Sequence, residues 1–267
     1  MATTDLLVEN KDRVLYLTLN RPDKLNAMSS DMMGGLLEHL TRAAHDTEVG
    51  CVVVTGAGRG FCSGGDITSM RERNEGGGPA PTVEERVASL RHGEEVSRLL
   101  HEMPKVTIAG VNGAAAGAGL SVAMACDLRV ASDAARFATA FARVGFGGDY
   151  GGTWSMTRLV GSAKARELYF LADILGADEA LRIGLVNRVV PAGSFKDELH
   201  KVAKKIANGP TIAYSYMKAN LNAAVTHEFS ELLDREAWGQ TMTGRTEDHR
   251  EAVKAFLEKR EPTFKGR

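Results

Sequence analysis

The chain has 267 residues, 43% hydrophobic and 25% charged, with a formal net charge of -1. That is enough for a large core, and the near-neutral balance gives no electrostatic reason to expect nucleic acid or an anionic membrane as partner. Cys51, Cys62 and Cys126 form no CxxC pair and no metal spacing, so neither a metal site nor a disulfide scaffold is expected, and a reducing, cytoplasmic setting fits. No basic start followed by an apolar run is visible at the N-terminus, and no apolar run is long enough to cross a bilayer.

In chain order, Asp5 to Asn10 and Arg13 to Leu19 read as two strands around a turn. Ser29 or Ser30 caps a predicted helix to about Asp46, with Met33, Leu36, Leu37 and Leu40 on one face. Cys51 to Thr55 is a short apolar strand that feeds a glycine-rich loop, Gly56 to Asp66. Arg71 to Thr82 is polar, with Gly76-Gly77-Gly78-Pro79 inside it, and reads as a mobile surface segment. Val83 to Met103 is predicted as one helix, with Val87, Leu90, Val96, Leu99 and Leu100 in register.

Lys105 to Asp127 organises the rest. The apolar run Val106 to Val111 reads as a buried strand; Gly113, Gly117 and Gly119 follow among alanines, and a helix begins near Ala118. The first amides of a helix lack internal partners and carry the positive end of its dipole. A loop of small residues lets a ligand oxygen approach them. The stretch is therefore either an anion or oxyanion site or a tight strand–helix packing. Asp127 to Ala131 and Arg136 to Ala140 read as strands, and Val144 to Gly152 as a third glycine-rich loop carrying Asp149. Helices are predicted at Thr153 to Val160, Ser162 to Leu171 and Asp178 to Ile183, then a strand at Val186 to Val190. The rest is helical from Ser194 to Glu258, interrupted near Gly209-Pro210 and Gly244. An α/β core with a helical C-terminal extension follows.

Two classes of function compete for these loops. A strand followed by Thr55-Gly56-Ala57-Gly58-Arg59-Gly60, with Tyr214 and Lys218 spaced as Tyr-x-x-x-Lys, suggests an NAD(P)-dependent short-chain reductase. The last glycine of that pattern falls on Cys62, and no strand ending in an acidic residue follows, so the fit is poor. The other class is an enzyme that holds a thioester enolate between two backbone N–H groups, each donor contributing on the order of 3 kcal/mol to the barrier.

Several pieces carry a resemblance to the crotonase (enoyl-CoA hydratase/isomerase) superfamily. They are Asn20-Arg21-Pro22, Asn26-Ala27-Met28, Phe61 to Ile67, Val111-Asn112-Gly113 through Asp127, Gly151 to Trp154, Gly184-Leu185-Val186, Thr246-Glu247-Asp248 and Ala255 to Arg260, in family order over almost the whole chain. The resemblance implies a spiral of ββα units over residues 1–195, a helical trimerisation region over 196–267, and a homotrimer or dimer of trimers. It implies an acyl-CoA substrate, with coenzyme A present only as part of the thioester and no separate cofactor. It places the oxyanion N–H groups on Gly65 and Ala118, flanked by Ser63, Gly64, Ile67 and Gly117. Phosphate contacts of CoA fall on Lys259 beside Phe256, from a neighbouring subunit, and on Lys24 and Arg21; Asp66 braces the oxyanion loop.

The sequence departs from the hydratase pattern where typical members carry two glutamates: those positions hold Ser121 and Phe141, neither a general base near neutral pH. The carboxylate that remains is Asp149, in surroundings similar to the ring-1,2-epoxyphenylacetyl-CoA isomerase and Δ3,Δ2-enoyl-CoA isomerase branch. There a single aspartate shuttles one proton between two carbons. An apolar wall of Phe141, Phe146, Tyr150 and Trp154 is expected to raise its pKa. Asp149 can also be read as a helix cap ahead of Thr153. A hydratase with non-standard acid/base residues, an acyl-CoA hydrolase and a dehalogenase are alternatives, although the dehalogenase histidine position holds Glu94.

Overall fold

The computed structural model describes residues 4–66 and 81–267. Ten strands are seen: β1 Leu6–Lys11, β2 Val14–Leu19, β3 Cys51–Gly56, β4 Gly60–Cys62, β5 Val106–Val111, β6 Ala114–Ala116, β7 Leu128–Ser132, β8 Arg136–Ala138, β9 Leu175–Gly176 and β10 Arg188–Val190. Helices α1 Ser30–His45, α2 Val83–Gly93, α3 Glu95–Glu102, α4 Ala118–Ala125, α5 Gly152–Val160, α6 Ser162–Leu171 and α7 Ala177–Arg182 are interspersed with them. Four more close the chain: α8 Phe195–Ala207, α9 Thr211–Ala223, α10 Phe229–Thr243 and α11 Glu247–Leu257.

The strands form two sheets, ordered β1-β2-β3-β5-β7-β10 and β4-β6-β8-β9. Only β1–β2 and β8–β9 pair antiparallel. Three times the chain leaves the large sheet and enters the small one, from β3 to β4, β5 to β6 and β7 to β8. This repeated two-strand step is the expected ββα spiral. Parallel strands covered on both faces are apolar on both faces, and β3 follows that rule. Val52 and Val54 join the main core with Leu36, Leu40 and Leu100, while Cys51 and Val53 pack with Phe195 and Leu199 of α8. All four β3 residues are fully buried, each apolar side chain contributing about 1.5–3 kcal/mol.

Residues 71–80 of the segment read as mobile lie outside the described residues; Thr82 caps α2, its hydroxyl accepting from the Glu85 N–H at 3.1 Å. Expectation and structure part in three places. The helix predicted from Val83 to Met103 is broken at Glu94, and α2 buries none of its residues, so Val87 and Leu90 stay exposed. The third break in the C-terminal helices, at 224–228, has no Gly or Pro to announce it. Finally, β4 and β6 lie in stretches the sequence assigns to loops, since three residues are too few to show alternation and glycine and alanine carry little strand signal. The three cysteines are free and buried. Among the described residues no helix is long and apolar enough to cross a membrane, and no group of three His, Cys, Asp or Glu side chains could hold a metal ion.

The C-terminal helices are tied to the sheet by an ion pair. Lys218 of α9 is 5% exposed; its Nζ lies 2.8 Å from Asp127 Oδ2 and donates to the carbonyls of Leu100 at 2.8 Å and Lys105 at 3.0 Å. The same Asp127 oxygen accepts from the Thr107 N–H at 2.8 Å. Lys218 is therefore fully engaged far from any cofactor loop, and after β3 the chain enters β4 rather than a helix. The reductase reading fails on both counts. Removing one partner of a buried pair leaves the other uncompensated. Lys218→Met is expected to lower the unfolding free energy by roughly 3–5 kcal/mol, measured by urea denaturation; a loss under 1 kcal/mol would show that the pair is not holding α9.

Candidate active site

The site is built where the two sheets meet. β4 and β6 run parallel, with Gly60 opposite Ala114, so the segments that follow them, Ser63-Gly64-Gly65 and Gly117-Ala118, emerge side by side. Two buried or half-buried asparagines fix the approach. Asn26 Nδ2 donates to Ala57 O at 2.9 Å and Gly60 O at 2.8 Å, and Asn112 Nδ2 donates to Gly58 O and Gly60 O, both at 3.0 Å. Gly64 has φ +92°, which glycine adopts without strain, and a Cβ there would stand 3.3 Å from the Ala118 N. The two loops thus touch at the backbone itself.

Gly117 precedes α4, and the first intrahelical bond runs from the Ser121 N–H to Gly117 O at 3.1 Å. The Ala118 amide, at the first helical position, has no acceptor among the described residues, and neither has the Gly65 amide. Gly65 pairs in a short parallel bridge with Met28, whose N–H donates to Gly64 O at 2.8 Å. Ser63 is held by its N–H on Leu25 O at 3.0 Å and its hydroxyl on Lys24 O at 3.3 Å. Ile67 lies outside the described residues. Asp66 is buried, with Oδ2 2.9 Å from Arg21 Nη2 and 3.4 Å from Lys24 Nζ. Arg21 also donates to Ala27 O at 2.7 Å, so Arg21 and Asp66 brace the loop from behind, while Lys24 keeps about half its side chain in solvent.

Asp149 sits on the loop before α5. It does not cap that helix: Gly151 is the N-cap without a side-chain bond, and the Asp149 backbone oxygen accepts from the Gly152 N–H at 3.0 Å. Its Oδ1 is buried without a hydrogen-bond partner. Burial pushes the carboxyl up to about 6, and the neighbouring Glu94 carboxylate pushes in the same direction. Glu94 stands at the break between α2 and α3 and accepts from the Tyr150 N–H at 3.0 Å. Tyr150 is left-handed, φ +51°, and a Cβ on Gly93, the last residue of α2, would stand 2.8 Å from its hydroxyl.

The environment of the carboxylate differs in part from the expected wall. Tyr150 and Phe141 are buried, but Phe146 is 56% exposed. Trp154, 39% exposed, packs edge-on against His101 with centroids 5.0 Å apart and lies under the Arg158 guanidinium. In their place stands Tyr169 of α6, stacked on Phe141 at 6.0 Å and lacking a partner for its buried hydroxyl. Ser121 is fully buried on the first turn of α4, its hydroxyl 3.3 Å from Gly117 O. Phe256 is 83% exposed, and Lys259, exposed with φ +54°, follows α11; nothing within the chain brings them to Asp149.

Two amides without acceptors among the described residues, on loops that touch, and a desolvated carboxylate on the loop packed against α4 suit stabilisation of an enolate and movement of a proton. The sequence profile of the enoyl-CoA hydratase/isomerase family matches residues 9–267. The chain belongs to this family. It is accordingly an enzyme of hydratase/isomerase type acting on acyl-CoA thioesters. Among its relatives, 1,2-epoxyphenylacetyl-CoA isomerase of Escherichia coli strain K12 is 38% identical over 255 residues, 95% of each chain. A short-chain-enoyl-CoA hydratase of Clostridium acetobutylicum is 37% identical, with 97% of each chain covered. A crystal structure described as a putative enoyl-CoA hydratase from Streptomyces coelicolor A3(2) superposes with a TM-score of 0.92 at 36% identity, covering 98% of this chain and 94% of the other.

The Ala118 amide can be removed without disturbing the helix, because proline is tolerated at the first helical position, where the N–H has no intrahelical partner. Ala118→Pro is expected to keep the melting temperature within a few degrees while kcat falls roughly 10²–10³-fold. Unchanged turnover would remove this amide from the chemistry.

Proposed function

We propose that the protein is a one-base isomerase of enoyl-CoA thioesters. The thioester oxygen lies between the amides of Gly65 and Ala118. Asp149 removes a proton from the γ-carbon, and the negative charge spreads into a dienolate whose oxygen the two amides hold. The same carboxyl then delivers the proton to the α-carbon, so the double bond moves with no net proton change; the reverse path uses the same groups. One observation carries this reading: among the described residues Asp149 has a buried, unpartnered oxygen, on a loop whose Gly152 packs against Ser121 in the first turn of α4, while the two positions that would carry hydratase glutamates hold Ser121 and Phe141. The E. coli relative bears the name of an isomerase. Hydratase names among the other relatives favour hydration as the second reading, but that path needs a second group to activate water.

The apolar side chains left in solvent on the last helices, Phe229, Trp238, Phe256 and Leu257, exceed what a monomer usually exposes. We take them as subunit contacts of a trimer or a pair of trimers, which would carry Lys259 to a neighbour's CoA phosphates. Three buried free thiols suit the reducing cytoplasm.

Asp149→Asn decides between the readings. With 3-hexenoyl-CoA the variant is expected to lose roughly 10²–10⁴ in kcat with CoA binding intact; equal activity in both proteins would return Asp149 to turn chemistry and bring hydration of a 2-enoyl-CoA forward. Because the base acts when ionised, wild-type kcat is expected to fall as pH drops through about 6. Stability runs the other way. A carboxyl with a raised pKa holds its proton more tightly folded than unfolded, so stability is lost as pH rises toward about 6. The Asn variant is therefore expected to melt above the wild type at pH 8 and to lose that advantage near pH 4.

A further inference from the structure

Among the described residues, three buried side-chain atoms have no hydrogen-bond partner: Ser97 Oγ, Asp149 Oδ1 and the Tyr169 hydroxyl. The last two are neighbours. Burial first, and then the Asp149 charge, lift the Tyr169 phenol to about 12, yet no hydrogen bond joins the pair. A buried donor without an acceptor is destabilising, so its retention beside a candidate base points to a partner that arrives with the substrate.

The geometry narrows that partner. A Cβ on Gly152 would lie 2.2 Å from Ser121 Oγ and 2.6 Å from the Tyr169 hydroxyl, so the two hydroxyls are within about 5 Å of each other across one glycine. Gly152 is bonded through its N–H to the Asp149 backbone oxygen at 3.0 Å. Tyr169, Ser121 and Asp149 therefore border one small polar region against the first turn of α4. Tyr169 keeps its proton over the whole working pH range and is a donor there. A hydrocarbon acyl chain offers it no acceptor, and the thioester oxygen is already taken by the two amides.

We propose that Tyr169 is a specificity-determining residue that donates a hydrogen bond to an oxygen, hydroxyl or ether, on the γ-carbon of the acyl group. Among enoyl-CoA thioesters the preferred substrates are then γ-oxygenated ones. The placement at the γ-carbon rests on the reading of Asp149 as the base for that carbon. Phe141 stacks on the tyrosine ring, and the Ser121 hydroxyl borders the same glycine.

The test is a binding ratio and needs no turnover. 4-Hydroxybutanoyl-CoA and pentanoyl-CoA have the same length and differ in a hydroxyl or a methyl on the γ-carbon. Titration calorimetry with the wild type is expected to show a preference for the hydroxylated ligand of about tenfold. In Tyr169→Phe the preference is expected to vanish while the Kd for pentanoyl-CoA stays unchanged. That variant keeps the ring stack and removes an unpartnered hydroxyl, so it is expected to melt no lower than the wild type. Equal binding of the two ligands by the wild type, or a preference that survives in Tyr169→Phe, would overturn the proposal. Full isomerase activity in Asp149→Asn would sink the one-base reading instead and leave the binding ratio where it was.

Discussion

The site depends on a helix start that the chain itself leaves unsatisfied. The Ala118 amide opens α4 with no acceptor, and the backbone of Gly64-Gly65 is pressed against it. Donors without acceptors are costly in an apolar surrounding, and here the two loops that carry them touch because two parallel strands of the small sheet end side by side. The asparagines at 26 and 112 and the Arg21–Asp66 pair make the arrangement rigid. Donors fixed in advance need not reorganise when charge develops on a substrate oxygen, which is what makes such a pocket catalytic rather than merely sticky.

At the positions that the resemblance assigns to two glutamates, this chain has a buried hydroxyl, Ser121, and a buried aromatic ring, Phe141. Phe141 supports Tyr169, and Ser121 faces the same glycine as the tyrosine hydroxyl. Glu94 supplies charge to the region from a different element. It holds the Tyr150 amide and raises the neighbouring Asp149. A single desolvated carboxylate, tuned by burial and by one like charge, can hold a proton and return it near neutral pH.

Much of this was legible in the sequence, and the limits have physical reasons. The strands β3 and β5 announced themselves because both of their faces are covered and nearly every residue is apolar, Thr55 and Thr107 being the exceptions. The close approach of the loops after β4 and β6 announced itself because it requires small residues. β4 and β6 themselves did not, since Gly60-Phe61-Cys62 and Ala114-Ala115-Ala116 are too short to show a period. Tyr169 was missed because it stands in an ordinary helix, and only tertiary stacking on Phe141 turns it to the site. Trp154 was placed beside the carboxylate from sequence proximity, yet one helical turn is enough to point it at His101. The break at Glu94 comes directly after Gly93, a local signal, while the bond from the Tyr150 N–H to Glu94, 56 residues away, is one no local pattern can report.

The central claim is that one carboxyl moves one proton along one face of the acyl group. The most direct measurement is a single-turnover reaction of 3-hexenoyl-CoA deuterated at the α-carbon, in ordinary water, with the product read by NMR. A fraction of the 2-hexenoyl product is expected to carry the label at the γ-carbon, transferred by Asp149 before it exchanges with solvent, and this transfer is expected to be absent in Asp149→Asn. Isomerised product that never carries the transferred label at any pH, with the incoming γ-hydrogen drawn entirely from water, would require a second proton-carrying group and would contradict a one-base transfer.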